Sequence, residues 1–446
     1  MTVEVKPTGI TMQAIMPIER PTRVRYFLCF WLFIISAVAF LDRTNISVAG
    51  LQISREFGLG NQRLGWIFSA FLIGYAGFQL PAGVLVVRYG PRRVLTLGVL
   101  LWSAATALTA MLPSRIPSAL LLLLVVRFAL GVGETVIYPA ANQFVARWVP
   151  QEERGIVNGL IFAGVGAGSG LTPPLLTWII IDDGWRAAFW FSAALGIIVC
   201  IVWWVFARDT PAEHPGVLLA ERREIREGIA AYSATTSVKS SRVLWKVSWP
   251  ALFSRADLGA LMVGYFCFGY IAWVFFSWFY LYMTQGRGID LKNTAYFTMM
   301  PFLCMTIFCL AGGALSDRLT RSHGLRTGRC KLASVALLLT GIFLIVGSRL
   351  HCPQYAGIIL ALGAGSLYLS QSAFWSVSVD IAGRSSGIFC SLVNMSGQIG
   401  GAVTASLTPW LAQHFGWTMP FTIAAAFAFI GALSWLAVHP ERTLDA

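Results

Sequence analysis

About twelve apolar stretches, each roughly twenty residues long, follow one another along this 446-residue chain. That recurrence leaves few folds open, because about 20 apolar residues are what a helix needs to cross a bilayer. Soluble domains carry roughly 25% charged residues; here 12% are charged and 57% hydrophobic. A water-soluble fold could not hide that much apolar surface. The expected fold is an all-α membrane protein of twelve transmembrane helices in two six-helix bundles.

The runs fall near 26–50, 62–87, 93–112, 119–146, 154–181 and 187–207, then 256–284, 293–316, 330–349, 354–379, 385–412 and 418–438. The expected organisation is a polar tail (1–25), a first bundle (26–207), a central loop (208–254), a second bundle (255–438) and a short tail (439–446). Glu221-Arg222-Arg223-Glu224 in the central loop reads as an amphipathic surface helix. A weak repeat links the halves: Gly83…Arg88 recurs as Gly313…Arg318, Arg154 as Arg384, and Gly184-Trp185 as Gly416-Trp417, at offsets of 230, 230 and 232 residues. Parallel halves with a site between them near the bilayer midplane is a transporter architecture.

The net charge of +13 would suit nucleic acid, but its distribution points elsewhere. Taking alternate loops as one side, Arg20, Arg23, Arg88, Arg92, Arg93, Arg147, Arg318, Arg321, Arg326, Arg329 and Lys331 gather together with the central loop. The opposite loops hold few basic residues. This is the positive-inside pattern. It places both termini and the central loop in the cytoplasm of a cell whose inner membrane holds the chain. The eight cysteines lie mostly inside apolar runs with no C-x-x-C spacing, so neither a disulfide framework nor a metal site is indicated.

Asp42, Arg43, Arg127 and Glu134 are the acidic and basic residues that lie well inside the runs, and their charges cancel. A charge at mid-bilayer costs roughly 3 kcal/mol or more and marks a functional site by default. Neighbours on a helix do not face each other, so Asp42 and Arg43 need other partners. Arg127 and Glu134 are two turns apart on one face. Two cross-helix pairs follow, Asp42 with Arg127 and Arg43 with Glu134. Low dielectric and an adjacent guanidinium act on a carboxyl group in opposite senses. Moving that guanidinium would therefore exchange a proton, and a released Arg43 would bind an anion. In the second half Tyr265, Gln371, Ser372, Trp375 and Asn394 offer hydroxyls, amides and ring faces; each suits a ligand or a helix–helix hydrogen bond.

These residues carry a family resemblance over nearly the whole chain. Gly83-x-x-x-x-Arg88-x-Gly90-x-Arg92, Arg127-Phe-Ala-Leu-Gly131-Val-Gly133-Glu134 with Pro139, Asp209-Thr-Pro211-Ala-Glu-His214-Pro215 and Leu41-Asp42-Arg43-Thr-Asn45 resemble motifs of the major facilitator superfamily. Within it they look like the anion:cation symporters, which include bacterial sugar-acid carriers and, more distantly, sialin and the vesicular glutamate transporters. The resemblance implies alternating access and proton-driven import of a carboxylate such as a hexonate, hexarate or hexuronate. It implies Asp42 and Glu134 as proton carriers, Arg127 as the partner of Asp42, and Arg43, Tyr75, Ser372, Trp375 and Asn394 near the substrate. Gly83, Arg88, Gly90, Arg92, Asp317 and Arg318 would belong to gating loops. The expected partners are the substrate, protons and lipid, with the proton gradient in place of a cofactor, no nucleic acid, and a monomer as the working unit.

The chain departs from the pattern in three places. Phe40 stands where a Tyr is common, Gly164 to Gly168 lie where the sugar-acid carriers place a Gln, and Val87 replaces the usual Asp, which Asp317 keeps in the second copy. Fewer hydroxyl-binding groups also admit a less hydroxylated or aromatic carboxylate. Organophosphate exchange is disfavoured because span 7 supplies no arginine inside it. A non-transporting anion sensor would usually carry a signalling domain, for which the central loop is too short. No nucleophile–base set suggests an enzyme.

Overall fold

The structure is a computed structural model that describes residues 22–441, apart from 115, 236–255 and 383–385. The first half comprises α1 (Val24–Phe57), α2 (Asn61–Gly77), α3 (Gln79–Tyr89), α4 (Pro91–Met111), α5 (Ala119–Glu134), α6 (Ile137–Trp148), α7 (Gln151–Asp183) and α8 (Trp185–Phe206). A surface helix, α9 (Leu219–Thr235), follows where the mixed-charge segment stands. The second half comprises α10 (Ala256–Trp273), the short α11 (Phe279–Leu281), α12 (Leu291–His323), α13 (Leu332–Arg349), α14 (Pro353–Leu369), α15 (Gln371–Ala382), α16 (Ser386–Phe415) and α17 (Thr418–Leu436). Among the described residues ten helices are long and apolar enough to span a membrane, eleven if the bent pair α2–α3 is one span. The expected twelve is reached only by adding α16, which is 30 residues long but outside that set.

Prolines explain two of the breaks. A proline ring clashes with the carbonyl four residues earlier. Pro81 thereby ends α2 at Gly77, and α3 leaves at 47°. Pro139 acts likewise on Thr135, between α5 and α6. Span 10 breaks at Ser370 without a proline; the Ser370 hydroxyl bonds back to the Leu367 carbonyl at 2.7 Å, a local bond that competes with the helical ladder. Span 7 is wound differently again. Two π-helical turns, Val274–Trp278 and Tyr282–Gly286, flank α11.

The packing repeats between the halves. α1 lies on α7, α2 on α5 and α4 on α8; in the second half α10 lies on α16, α12 on α14 and α13 on α17. Lipid tails give helices no hydrophobic reason to associate, so close approach through small residues does the work. A Cβ at Gly131 would stand 2.1 Å from the Phe71 carbonyl oxygen, and one at Gly168 2.1 Å from that of Ala37. Overpacking of this kind costs about 1–3 kcal/mol. Gly131→Ala is therefore expected to lower the melting temperature in detergent by several degrees, while Gly159→Ala, with nothing within 4 Å, leaves it unchanged.

The two ends of the molecule differ. One end is basic and holds the start of α1, the turn from α3 to α4, and α9. Here the Asp209 carboxylate accepts from the Arg92 backbone N–H at 2.9 Å, and Glu221 accepts from Thr22 and from the Arg25 backbone N–H. At the other end the halves meet. Ser47 donates to the Ser277 carbonyl at 2.8 Å, Gln62 to that of Ser406 and Ser69 to that of Ala402; Asn61 bonds Gln285, and Thr177 bonds Tyr280. The Ser277 carbonyl lies in the first π turn, where the ladder is locally rearranged. At the basic end a cleft of about 530 Å³ is lined by Ala314, Asp317, Arg318, Arg321 and Ser322.

Candidate anion and proton site

The four intramembrane charges sit on two helices that pack in the same half. Asp42 and Arg43 project from α1, Arg127 and Glu134 from α5, and their exposures are 1%, 6%, 1% and 0%. Successive residues diverge by about 100° around a helix, and the two neighbours on α1 accordingly face different partners. Arg43 Nε donates to Glu134 Oε2 at 2.5 Å. The Arg43 guanidinium also lies over three rings, 4.2 Å from the centroid of Phe40, 4.8 Å from Tyr75 and 5.6 Å from Phe71. A cation over aromatic faces gains electrostatic attraction from the ring quadrupole, which steadies the charge without occupying its hydrogen bonds.

Asp42 differs. Glu134, Arg127 and Thr106 all lie within electrostatic reach of its carboxylate, but among the described residues no ion pair within 4.0 Å joins Asp42 to Arg127. Both Asp42 oxygens, and Arg127 Nε and Nη2, lack hydrogen-bond partners. The expected second pair is thus a facing of charges at longer range. Arg43 Nη2 and Glu134 Oε1 are also buried without partners. Buried polar atoms are ordinarily satisfied, and those that are not call for a ligand, a proton or strain to account for them. Here a donor and an acceptor are left open on the two members of one ion pair.

The other expected residues divide into two groups. Tyr75 is buried beside Arg43 and also faces Asn394 across the interface between the halves. Tyr265 accepts from Gln371 Nε2 at 3.2 Å and stands edge-on to Trp375 at 5.7 Å. Trp375 Nε1 and Gln371 Oε1 are buried without partners. Ser372 faces Gly313 on α12 instead. Arg88, Asp317 and Arg318 are exposed, with Gly83 and Arg92 half-buried and Gly90 buried, all at the basic end and away from the four charges. Gly90 has φ +86°, and a Cβ there would meet the Asp209 carboxylate at 2.7 Å; only glycine suits that turn.

Three residues of this neighbourhood were not expected. Tyr138, on α6, is stacked on Phe162 at 4.9 Å and bonds Ser36. Tyr368, on α14, packs on Phe268 and lies within electrostatic reach of Tyr265, Tyr138 and Arg43. Gln398 donates to Asn394 Oδ1 at 3.5 Å, and its own carbonyl is open. Each sits three or four residues from a position already singled out, Glu134, Gln371 and Asn394, so the helical period was the available signal.

A family model described as Major Facilitator Superfamily matches residues 32–390. The chain belongs to that superfamily. Among its relatives, a probable sulfoacetate transporter of Cupriavidus necator is 33% identical over 92% of this chain and 92% of its own length. A probable galactarate/D-glucarate transporter of Escherichia coli is 28% identical over 96% and 93%. A solved bacterial homologue of the human lysosomal transporter Spinster, inward-facing and unoccupied, superposes with a TM-score of 0.73 at 17% identity, covering 95% of this chain and 100% of that one. This major facilitator protein is a multi-pass membrane transporter, and an enzyme reading falls away with the family.

Proposed function

We propose that this carrier imports an organic carboxylate, a sugar acid such as a hexonate, hexarate or hexuronate, by proton symport with alternating access. The relatives named for sulfoacetate and for galactarate/D-glucarate support an organic anion. The observation that carries the reading is the buried Arg43–Glu134 pair with one open donor and one open acceptor. Protonating Glu134 removes the charge that holds Arg43, and the freed guanidinium takes the substrate carboxylate. Asp42, facing Arg127, is the second proton carrier. Proton and anion then favour each other's binding, and that linkage is reciprocal.

By the positive-inside rule the basic end is cytoplasmic, with both termini there, in a bacterial inner membrane. The joined end is then the outer one, and this conformation opens inward. The Ser69 and Ser406 hydroxyls bond at 2.7 Å; the double variant Ser69→Cys, Ser406→Cys is expected to form a disulfide on oxidation and stop transport, with recovery in reductant. Continued transport by the cross-linked protein would refute alternating access through that seal. The test of the function itself is uptake into proteoliposomes with an acid exterior, across hexonates, hexarates, hexuronates and small sulfonates. Uptake that ignores the gradient removes proton coupling; no uptake of any of them removes the substrate class. A small sulfonate is the second reading, favoured by the 33% identical relative.

A further inference from the structure

Carboxylate transport through Arg43 leaves open what lies at the other end of the substrate, and the second half constrains it by charge. No Lys or Arg occurs in 256–286, 293–317, 350–383 or 385–441. Among the described residues, the cations that border these spans are exposed at helix ends, as are Lys292, Arg318 and Arg349, or are engaged elsewhere. Arg287 donates to the Tyr282 hydroxyl at 2.6 Å and to the Leu350 and Ser348 carbonyls at 2.6 and 2.9 Å, and Arg329 pairs with Asp380 at the basic end. In the first half the charge of Arg127 faces Asp42 and Glu134. Among the described residues of these spans, one guanidinium, that of Arg43, is therefore free to become the counter-ion of a substrate once Glu134 is neutral.

What the second half presents is neutral and two-sided. Gln371 bonds Tyr265 with one end of its amide and leaves the other open; the Gln398 carbonyl is open, and Trp375 Nε1 is an open donor. An amide needs both a donor and an acceptor opposite it. A hydroxyl supplies both, whereas an ionised carboxylate or sulfonate supplies acceptors alone. An anion placed there would also be an unpaired buried charge, which is strongly unfavourable. From this absence of a second cation opposite Arg43, facing open amides and an indole N–H, we infer that the carrier selects hydroxylated monoanions and rejects dianions of the same length. Gln371, Trp375 and Gln398 are the groups that read the neutral end.

This inference rests on the proposed carboxylate transport, and the test separates the two. D-gluconate and D-glucarate share a six-carbon hydroxylated chain and differ in one terminus, a hydroxymethyl group against a second carboxylate. In proteoliposomes with a fixed acid exterior, unlabelled gluconate is expected to compete against labelled gluconate at a concentration about tenfold or more below that of glucarate, a difference of about 1.4 kcal/mol or more. Gln371→Arg supplies the missing cation and is expected to reverse the order. Glucarate or sulfoacetate competing as well as gluconate on the parent protein overturns the inference while leaving transport intact. Should the variant not fold, the comparison on the parent still decides. If no sugar acid is taken up, it is the underlying carrier function that fails.

Discussion

Glu134→Gln is expected to abolish uphill transport while sparing exchange. A pH difference of one unit is worth about 1.4 kcal/mol per proton, which sustains about tenfold accumulation of a co-transported solute. In this variant the accumulation ratio should fall to one at any gradient, because the group proposed to alternate between holding Arg43 and holding a proton is permanently neutral. Substrate-for-substrate counterflow needs no net proton movement and should persist within about tenfold of the parent, a loss of no more than about 1.4 kcal/mol. The glutamine keeps a carbonyl oxygen where Glu134 Oε2 now accepts from Arg43 at 2.5 Å, so the guanidinium retains a partner and the protein should fold. Accumulation that still follows the gradient would remove Glu134 from the coupling path.

Arg43→Gln should have the larger effect on binding. Removing one member of a buried ion pair costs about 3–5 kcal/mol, since the other charge is left uncompensated. Here the loss falls twice: Glu134, at 0% exposure, loses its partner, and the substrate loses its proposed counter-ion. Affinity should drop more than a hundredfold, which corresponds to about 2.7 kcal/mol, measured by equilibrium binding at acid pH, where Glu134 can be neutral. Arg43→Lys keeps the charge but not the fork that spans Glu134 with Nε and leaves Nη2 open, and should recover part of the binding. Unchanged affinity in Arg43→Gln would overturn the site. Arg318→Gln at the basic end, outside the site, is expected to leave equilibrium binding alone.

The four charges were legible because charge in hydrocarbon is conspicuous, and the Arg43–Glu134 contact followed from their spacing. The companion contact between Asp42 and Arg127 did not form, and spacing could not foretell it: a seven-residue period says which face a side chain occupies, not how far the opposite helix stands. Spans 2 and 4 were read as unbroken runs although each carries the proline that ends its first helix, Pro81 and Pro139, whereas span 10 breaks at Ser370 without one. Tyr138, Tyr368 and Gln398 were passed over because a tyrosine or glutamine in an apolar run looks like an ordinary core or helix-contact residue. The two π turns of span 7 were invisible in a stretch as uniformly aromatic as Phe275-Phe276-Ser277-Trp278. An extra residue in a helical turn leaves no mark on hydropathy.

The door at the joined end has no ionic latch. Its bolts are hydroxyls and amides, Ser47, Ser69, Gln62, Asn61 and Thr177, and among the described residues no ion pair within 4.0 Å crosses it. Neutral bonds of this sort are worth about 1 kcal/mol each and, unlike ionic ones, barely respond to salt. Separation of the halves at this end is therefore expected to depend little on ionic strength. On the proposed mechanism, the response to acidity would then come through the buried carboxyls Asp42 and Glu134 and not through this seal.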